Sequence, residues 1–427
     1  MSLPRYPKYK DSGVAWLGQV PHHWTVRRLG SCFEERREKV SDKDFPPLSV
    51  TKLGVVPQLE SAAKTDDGDN RKKVCAGDFV INSRSDRKGS SGASQLDGSV
   101  SLINTVLEPV EGVSIEFVHH LLRSVLFQEE FYRYGKGIVA DLWSTNYSEM
   151  RNITLALPNV GEQTAIAVFL DRKTAKIDAL IAEQEKLIAL LAEKRQATIS
   201  HAVTRGLNPD AQMKDSDVKW LGDMPAHWDV VPLKYLVDLR SGGTPSKDNL
   251  DYWDGDIPWA SAKDLKVEKL GDTADHITQK AIEDGAASLV RSGAVLVVVR
   301  GMILARTFPV VETLVHLAIN QDLKAVLPRD RVNVSFLAWL LRGSANESLQ
   351  RLDEAGHGTK ALRMDAWTSM ELPIPPLAEQ IQIAEFISKK IARLDTLCAE
   401  AERAISLLNE RRSALIAAAV TGQIDVR

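Results

Sequence analysis

The sequence predicts an α+β protein with a pseudo-two-fold internal repeat. Two globular regions, each an irregular β-sheet with a few helices, are separated by two long helices that form an antiparallel coiled coil. Three observations carry this. Residues 10–29 match residues 214–233 at 12 of 20 positions without a gap, including Trp16/Trp220, Gly18/Gly222, Pro21/Pro225, His23/His227 and Trp24/Trp228. Residues 155–207 match residues 372–424 at 24 of 53 positions, again without a gap. Between these copies the helical period disappears and short β-prone runs take over.

The second repeat predicts the helices. Ile166, Phe169, Ile177, Leu180, Leu187, Leu191, Ile199 and Ala202 recur at steps of three and four among charged residues, with no Gly or Pro between Gly161 and Gly206. Ile383, Phe386, Ile391, Leu394, Leu397, Leu408, Leu415 and Ala419 repeat the pattern between Pro376 and Gly422. Pro158 ahead of Glu162-Gln163, and Pro375-Pro376 ahead of Glu379-Gln380, fix each entry and place a carboxylate in the first turn, where the helix dipole favours it. About 40 residues at about 1.5 Å each make a rod of about 60 Å. An amphipathic rod of that length needs a partner, and the other helix is the obvious one. The expected seam and docking positions are Ile177, Leu180, Leu187, Leu191, Leu394, Leu397, Leu408 and Leu415. Connectivity places the end of the first helix and the start of the second at the same globular region, so the two run antiparallel and the chain ends meet. The expected boundaries are 1–154 and 208–371 for the globular regions, with 155–207 and 372–427 for the spacer helices.

The globular regions carry runs such as Pro47-Leu48-Ser49-Val50, Asp78-Phe79-Val80-Ile81 and Ala294 to Val299, bounded by turn signals, with helical patches at Ile115 to Phe131 and Val334 to Leu349. In the first region, Arg71-Lys72-Lys73 and the Gly- and Ser-rich stretch Arg84 to Gly92 concentrate positive charge. Such a loop lets backbone N–H groups approach phosphate while Arg forks reach base edges, and it equally describes a solvated loop. In the second region Ser241 to Lys247 and Arg300 to Arg306 are the analogous stretches, which composition alone also allows as plain turns between strands.

Composition bounds the rest. The 427 residues are 44% hydrophobic, enough for several domains. Lys and Arg total 54 against 57 Asp and Glu, so net charge of -3 gives no argument for nucleic acid. Cys32, Cys75 and Cys398 have no metal-like spacing and suggest a reducing compartment. No aliphatic run approaches the length of a membrane span and Met1-Ser2-Leu3-Pro4-Arg5 opens no signal peptide, so the expected location is cytoplasmic.

The combination resembles the specificity subunit of type I restriction-modification systems. The carriers are Trp16-Leu17-Gly18-x-x-Pro21-x-His23-Trp24 and its copy at Trp220 to Trp228; Gly243-Thr244-Pro245 followed by Tyr252-Trp253-x-Gly255-x-Ile257-Pro258-Trp259; Ala318 to Leu323; and the two Pro…Glu-Gln helix starts. The first region departs from the pattern: it lacks the Gly-Thr-Pro and Ile-Pro-Trp segments and has Ala76 to Ser83 instead.

The resemblance implies two target-recognition domains, each reading half of a bipartite, asymmetric sequence in double-stranded DNA. It implies helices that dock two methyltransferase subunits, to which restriction subunits add, with no catalysis, cofactor, metal or membrane association of this chain's own. Two unlike readers on a rod fit a split site, and a rod of about 60 Å is roughly a turn and a half of B-DNA. The expected DNA-binding residues are Lys72, Lys73, Arg84, Arg87, Lys88, Lys136, Thr244, Ser246, Lys247, Lys263, Arg300, Arg306, His357 and Lys360.

The alternatives are a self-contained restriction or modification enzyme and a coiled-coil scaffold without sequence specificity. The enzyme reading finds no phosphate-binding Gly-x-x-x-x-Gly-Lys-Ser/Thr loop and no Asn/Asp-Pro-Pro-aromatic tetrad. Asp256, Glu268 and Lys269 are too loosely spaced for a nuclease constellation. The repeated His and Trp residues of the Pro-x-His-Trp turns read as joints between reader and rod, because they are the same in both halves.

Overall fold

A computed structural model of the chain describes residues 4–60, 68–137, 143–354 and 358–427. The chain mixes helix and strand throughout, and its residues fall into two compact units: 1–185 with 402–427, and 186–401. Two helices dominate, Val160–Arg205 and Leu377–Val420, and each contributes to both units. Both begin a few residues after the start of the second repeat. The repeat's first residues lie in strands, Thr154–Leu157 and Glu371–Ile374, that carry the chain out of each sheet region. Among the described residues, no helix is long and apolar enough to cross a membrane.

In the first unit a four-stranded sheet has the order Ser91–Ala93, Phe79–Asn82, Asn104–Pro109, Phe33–Glu35, with antiparallel pairing throughout. A three-stranded sheet joins Gly98–Val100, Arg71–Val74 and Lys39–Val40. Phe79-Val80-Ile81 reads as a continuous apolar run because all three side chains are buried, as expected for a central strand covered on both faces. The helix Ile115–Arg123 covers the sheet; Ser114 caps it by accepting from the Phe117 N–H.

The second unit repeats this plan on a larger scale. Its five-stranded sheet runs Val237–Ser241, Leu323–Pro328, Val295–Val298, Val310–Thr313, Lys269–Leu270. Val295–Val298 takes the place of Phe79–Asn82, and Leu323–Pro328 that of Asn104–Pro109. Val334–Gly343, capped by Asn333, takes the place of Ile115–Arg123. A further four-stranded sheet, centred on Trp253–Ala260 and Leu317–Ile319, closes over its own small core of Trp259, Ile277, Ala281, Ala287 and Ala318. This sheet uses the Gly-Thr-Pro and Ile-Pro-Trp segments that the first unit lacks.

Within each unit the two helix segments run antiparallel. In the first, Ile166 and Leu170 share a core with Ala419 and Val420, and Arg412 forks onto Asp178 at 2.8 and 3.3 Å. In the second, Ile199 and Val203 share a core with Ile383, Ile387 and Ile391, and Arg195 Nε lies 3.5 Å from Asp395. The ion pairs are copies, since Arg412 is Arg195 and Asp395 is Asp178 shifted by 217 positions. The chain ends meet in the first unit, where the Asp425 N–H donates to the Pro4 carbonyl at 2.8 Å.

Periodicity misplaces part of the seam. Ile177 and Leu191 are 7% exposed and Leu394, Leu408 and Leu415 are half-buried, but Leu180, Leu187 and Leu397 are 52, 40 and 41% exposed and do not lie on the buried face. A step of three turns a helix by about 300°, so Leu180 sits about 60° round from Ile177 and off the packed stripe. Ala401, 3% exposed, takes a buried place that a search for large apolar residues passes over.

Candidate nucleic-acid interface

The two sequence repeats are bonded to one another, which explains why both persist. The strand that closes the first repeat pairs with the strand before each helix: Thr25–Arg28 with Thr154–Leu157, and Asp229–Pro232 with Glu371–Ile374. Glu162 in the first helical turn is almost wholly buried. It accepts from the Tyr6 hydroxyl at 2.6 Å and the Trp24 indole N–H at 3.1 Å, and lies 2.8 Å from His23 Nε2. Glu379 repeats this with Trp228 at 3.1 Å and His227 at 2.8 Å.

The neighbouring Gln163 accepts from the Ser114 N–H and donates to the Gly112 and Pro158 carbonyls; Gln380 does the same with Asn333, Arg331 and Pro375. Each helix ends on a left-handed glycine, Gly206 at φ +75° and Gly422 at φ +72°. A Cβ on Gly206 would meet Trp228 at 3.1 Å, and one on Gly422 would meet Pro21 at 2.3 Å and Trp24 at 3.2 Å. Trp24 and Trp228 are therefore clamped between a helix start and a helix end, fully buried and closed to base stacking.

The Glu162 carboxyl titrates below its usual range. Burial pushes it up, but the hydrogen bonds from Tyr6, His23 and Trp24 outweigh that. The Tyr6 hydroxyl is pushed far up by burial and by the carboxylate beside it.

In the second unit the short motifs are stitched into one loop cluster. A Cβ on Gly242 would stand 2.0 Å from the Ile319 carbonyl, so only glycine lets the backbones approach. The Gly243 N–H donates to that carbonyl at 2.9 Å, the Trp259 indole donates to the Gly243 carbonyl and the Trp253 indole to the Ser246 carbonyl, both at 3.0 Å. Thr244 Oγ1 bonds Gln321 Oε1, and Arg300 Nε donates to Asp322 at 3.0 Å. Arg300–Gly301 pairs with Lys360–Leu362, so Thr244, Gln321, Arg300 and Lys360 belong to one surface.

Residues 225–404 match the family model for the type I restriction modification DNA specificity domain. The chain is 27% identical over 255 residues to the EcoR124I/EcoR124II specificity subunit of Escherichia coli, covering 58% of this chain and 57% of that one. It is 26% identical over 185 residues to the MjaIX specificity subunit of Methanocaldococcus jannaschii, covering 42 and 40%. The matches thus span about half the length of these two relatives. The putative MjaX specificity subunit of the same archaeon aligns at 21% identity over 100% of this chain and 99% of its own. The chain is thus similar to specificity subunits of type I restriction-modification systems.

Solved structures show the same fold. A chain from a work on complex assembly and conformational transition of the type I R-M system matches with a TM-score of 0.67 at 18% identity, over 94% of this chain and 98% of that one. The HsdS subunit from Thermoanaerobacter tengcongensis matches with a TM-score of 0.54 at 17% identity, over the same shares.

The expected DNA-binding residues divide into three groups by what the structure places around them. Arg84, Arg87, Lys88, Thr244, Ser246, Lys247 and Arg306 have exposed side chains outside the sheets, and Lys136, also exposed, pairs with Glu149 at 3.2 Å. Lys263, Arg300 and Lys360 are spoken for by Asp275, Asp322 and Glu354, at 2.7, 3.0 and 2.7 Å. Lys72 is the clearest misplacement. It sits on the strand Arg71–Val74 with its ammonium donating to the Asn104 carbonyl at 2.9 Å and facing Glu35 at 3.4 Å, so it fastens two strands together. Lys73 pairs with Glu38 at 3.1 Å and lies over the Phe45 ring. A basic triplet in sequence says nothing of which side of a strand each charge takes, and a three-stranded sheet turned all three inward or along the surface. His357 lies outside the described residues.

Other residues enter only through the fold. Arg87, Arg71, Asn82 and Asn104 line a groove of about 530 Å³ beside the Arg84 to Gly92 loop, and the side-chain Oδ1 of Asn104 is buried without a hydrogen-bond partner among the described residues. Lys88 faces a second cavity with Lys52, Arg123 and Arg412, from four distant parts of the chain. The loose acidic grouping in the second unit is structural: Glu268 bonds Arg195 on the first helix. Among the described residues, no group of three or more His, Cys, Asp or Glu side chains could hold a metal ion.

Proposed function

We propose that this chain is the DNA specificity subunit of a type I restriction-modification complex, reading a bipartite, asymmetric site through two target-recognition domains. Its two long helices form the antiparallel coiled coil that joins the readers and docks two methyltransferase subunits, through which restriction subunits bind. The chain itself performs no chemistry. The carrying observation is the contrast between repeated and unrepeated parts. The joint of Glu, Gln, Trp and His is built twice with the same bonds, while the loops that follow matching strands differ between the units, Arg84 to Gly92 after Phe79–Asn82 and Arg300 to Arg306 after Val295–Val298. Equal joints suit equal partners, and unequal loops suit unequal half-sites. The exposed apolar residues Leu180, Leu187 and Leu397 support docking on the helices.

Mapping methylated adenines in the host genome reports both half-sites and the spacer at once. Binding of the chain with its methyltransferase to cognate and random duplexes, at one salt concentration, should then show a preference of at least a thousandfold. Equal affinity for the two duplexes would sink the reading.

A further inference from the structure

The two units differ in charge at one equivalent place. Arg342 and Arg195 meet there in the second unit, and their counterparts in the first are Arg123 and Arg412. Arg123 closes the capped helix Ile115–Arg123 as Arg342 does in Val334–Gly343, and Arg412 is Arg195 shifted by 217 positions.

In the second unit a single residue serves both guanidinium groups. The Glu268 carbonyl accepts from Arg342 NH2 at 2.6 Å, and the Glu268 carboxylate bonds Arg195. In the first unit the residue whose carbonyl accepts from Arg123 NH2, at 2.5 Å, is Lys52. A lysine thus stands at the chain position where the other unit has a glutamate.

The consequence is a cluster of four cations of which Arg412 alone pairs with a carboxylate among the described residues. Lys52, Lys88, Arg123 and Arg412 surround a cavity of about 430 Å³, within the range of small-ligand sites. Asp178 pairs with Arg412 and Asp171 with His120, at 2.8 Å each. Among the described residues, no carboxylate pairs with Lys52, Lys88 or Arg123. His119 adds no counter-charge: its Nε2 lies 2.7 Å from Arg123 NH1 and its Nδ1 faces the Ala93 N–H. Burial, then Arg123 and His120, push it down to about 4, so it stays neutral near pH 7. Like charges gathered round one cavity repel, and an anion that joins them relieves the repulsion.

We propose that this cavity binds a phosphate group, which takes the place that the Glu268 carboxylate fills in the second unit. The two lysines supply mobile point charges and Arg123 a third, while Arg412, whose Nε and Nη2 are forked onto Asp178, adds its outer N–H groups; together they suit phosphate oxygens. The phosphate comes either from the DNA backbone, in which case the site rests on the function proposed above, or from a free phosphate ligand.

The test uses the full chain and three variants: Lys52→Glu, which builds in the second unit's carboxylate, Lys88→Gln, and Lys186→Gln as a control on an exposed helix position. Each is titrated with sodium pyrophosphate, read by the melting midpoint, and with a random-sequence duplex over a salt series. The wild type and control should be stabilised by pyrophosphate, and Lys52→Glu and Lys88→Gln should bind it at least tenfold more weakly, with Lys52→Glu melting higher than wild type before any ligand is added.

A duplex salt slope reduced by about 1 in Lys88→Gln and about 2 in Lys52→Glu assigns the phosphate to the DNA backbone. Loss confined to pyrophosphate assigns a free ligand. If both variants respond to both probes as the wild type does, the proposal is overturned. Because neither probe depends on base sequence, this failure is distinct from a failure to prefer the cognate duplex.

Discussion

Replacing Glu162 by Ala should loosen the first reader from its helix far more than replacing Glu379 loosens the second, although the two glutamates are copies. Glu162 holds three partners, and its side chain is only 2% exposed. Removing it strands the buried Tyr6 hydroxyl and Trp24 indole N–H, each at about 1–3 kcal/mol, so the loss should be about 3–5 kcal/mol. The Glu379 side chain is 24% exposed, its His227 partner is 53% exposed, and no tyrosine joins it, so water replaces much of what is lost and the cost should be about 1–2 kcal/mol.

Hydrogen exchange separates the two joints, because the equivalent amides of Leu29 and Leu233 donate to Ile153 and Met370 in the paired strands. The opening free energy at Leu29 should fall by the larger amount in Glu162→Ala, and at Leu233 by the smaller in Glu379→Ala. Equal losses, or less than about 1 kcal/mol at Leu29, would refute the reasoning. The pH dependence has a definite sign. A carboxyl depressed on folding stabilises above its unfolded pKa, near 4.5, and that stability is lost as pH falls through the lower folded value. Leu29 protection should therefore drop in acid in the wild type and change less in Glu162→Ala.

Three further outcomes follow from the packing. Leu191→Asp and Ile177→Asp each put a carboxylate on a buried helix face and should cost about 3–5 kcal/mol, whereas Leu187→Asp should cost under about 1 kcal/mol by urea unfolding while weakening methyltransferase docking in a pull-down. Gly242→Ala forces a Cβ into the Ile319 carbonyl and should abolish recognition of one half-site in a methylation assay, with the other half-site still read. Arg84→Ala or Arg87→Ala should weaken binding to the other half-site by about 1–3 kcal/mol, while Lys72→Gln should lower the melting midpoint without changing which base is preferred.

Legibility varied with what each signal measures. The two long helices were readable because forty residues without Gly or Pro leave the chain few alternatives, and the readers' mixed character followed from the short apolar runs. The seam was half readable: Ile177 and Leu191 follow the period, whereas Leu180, Leu187 and Leu397 show that apolar spacing cannot fix which stripe of a long helix is covered. The correspondence between Phe79–Asn82 and Val295–Val298 was hidden, because a strand pair is defined by its neighbours across the sheet and these share little sequence. The Arg84 to Gly92 loop was visible as composition, but Lys52, Arg123 and Arg412 are single residues in unremarkable surroundings until folding gathers them.

By itself the sequence determined the repeat, the antiparallel order of the helices and the meeting of the chain ends, because these follow from periodicity and connectivity alone. Only tertiary structure decided that the two repeated motifs bond each other, that Lys72 serves a strand rather than a ligand, and that Lys52 stands where Glu268 does. The reason is physical. Period and spacing are local properties of one dimension, while the charge a side chain meets depends on residues up to 360 positions away.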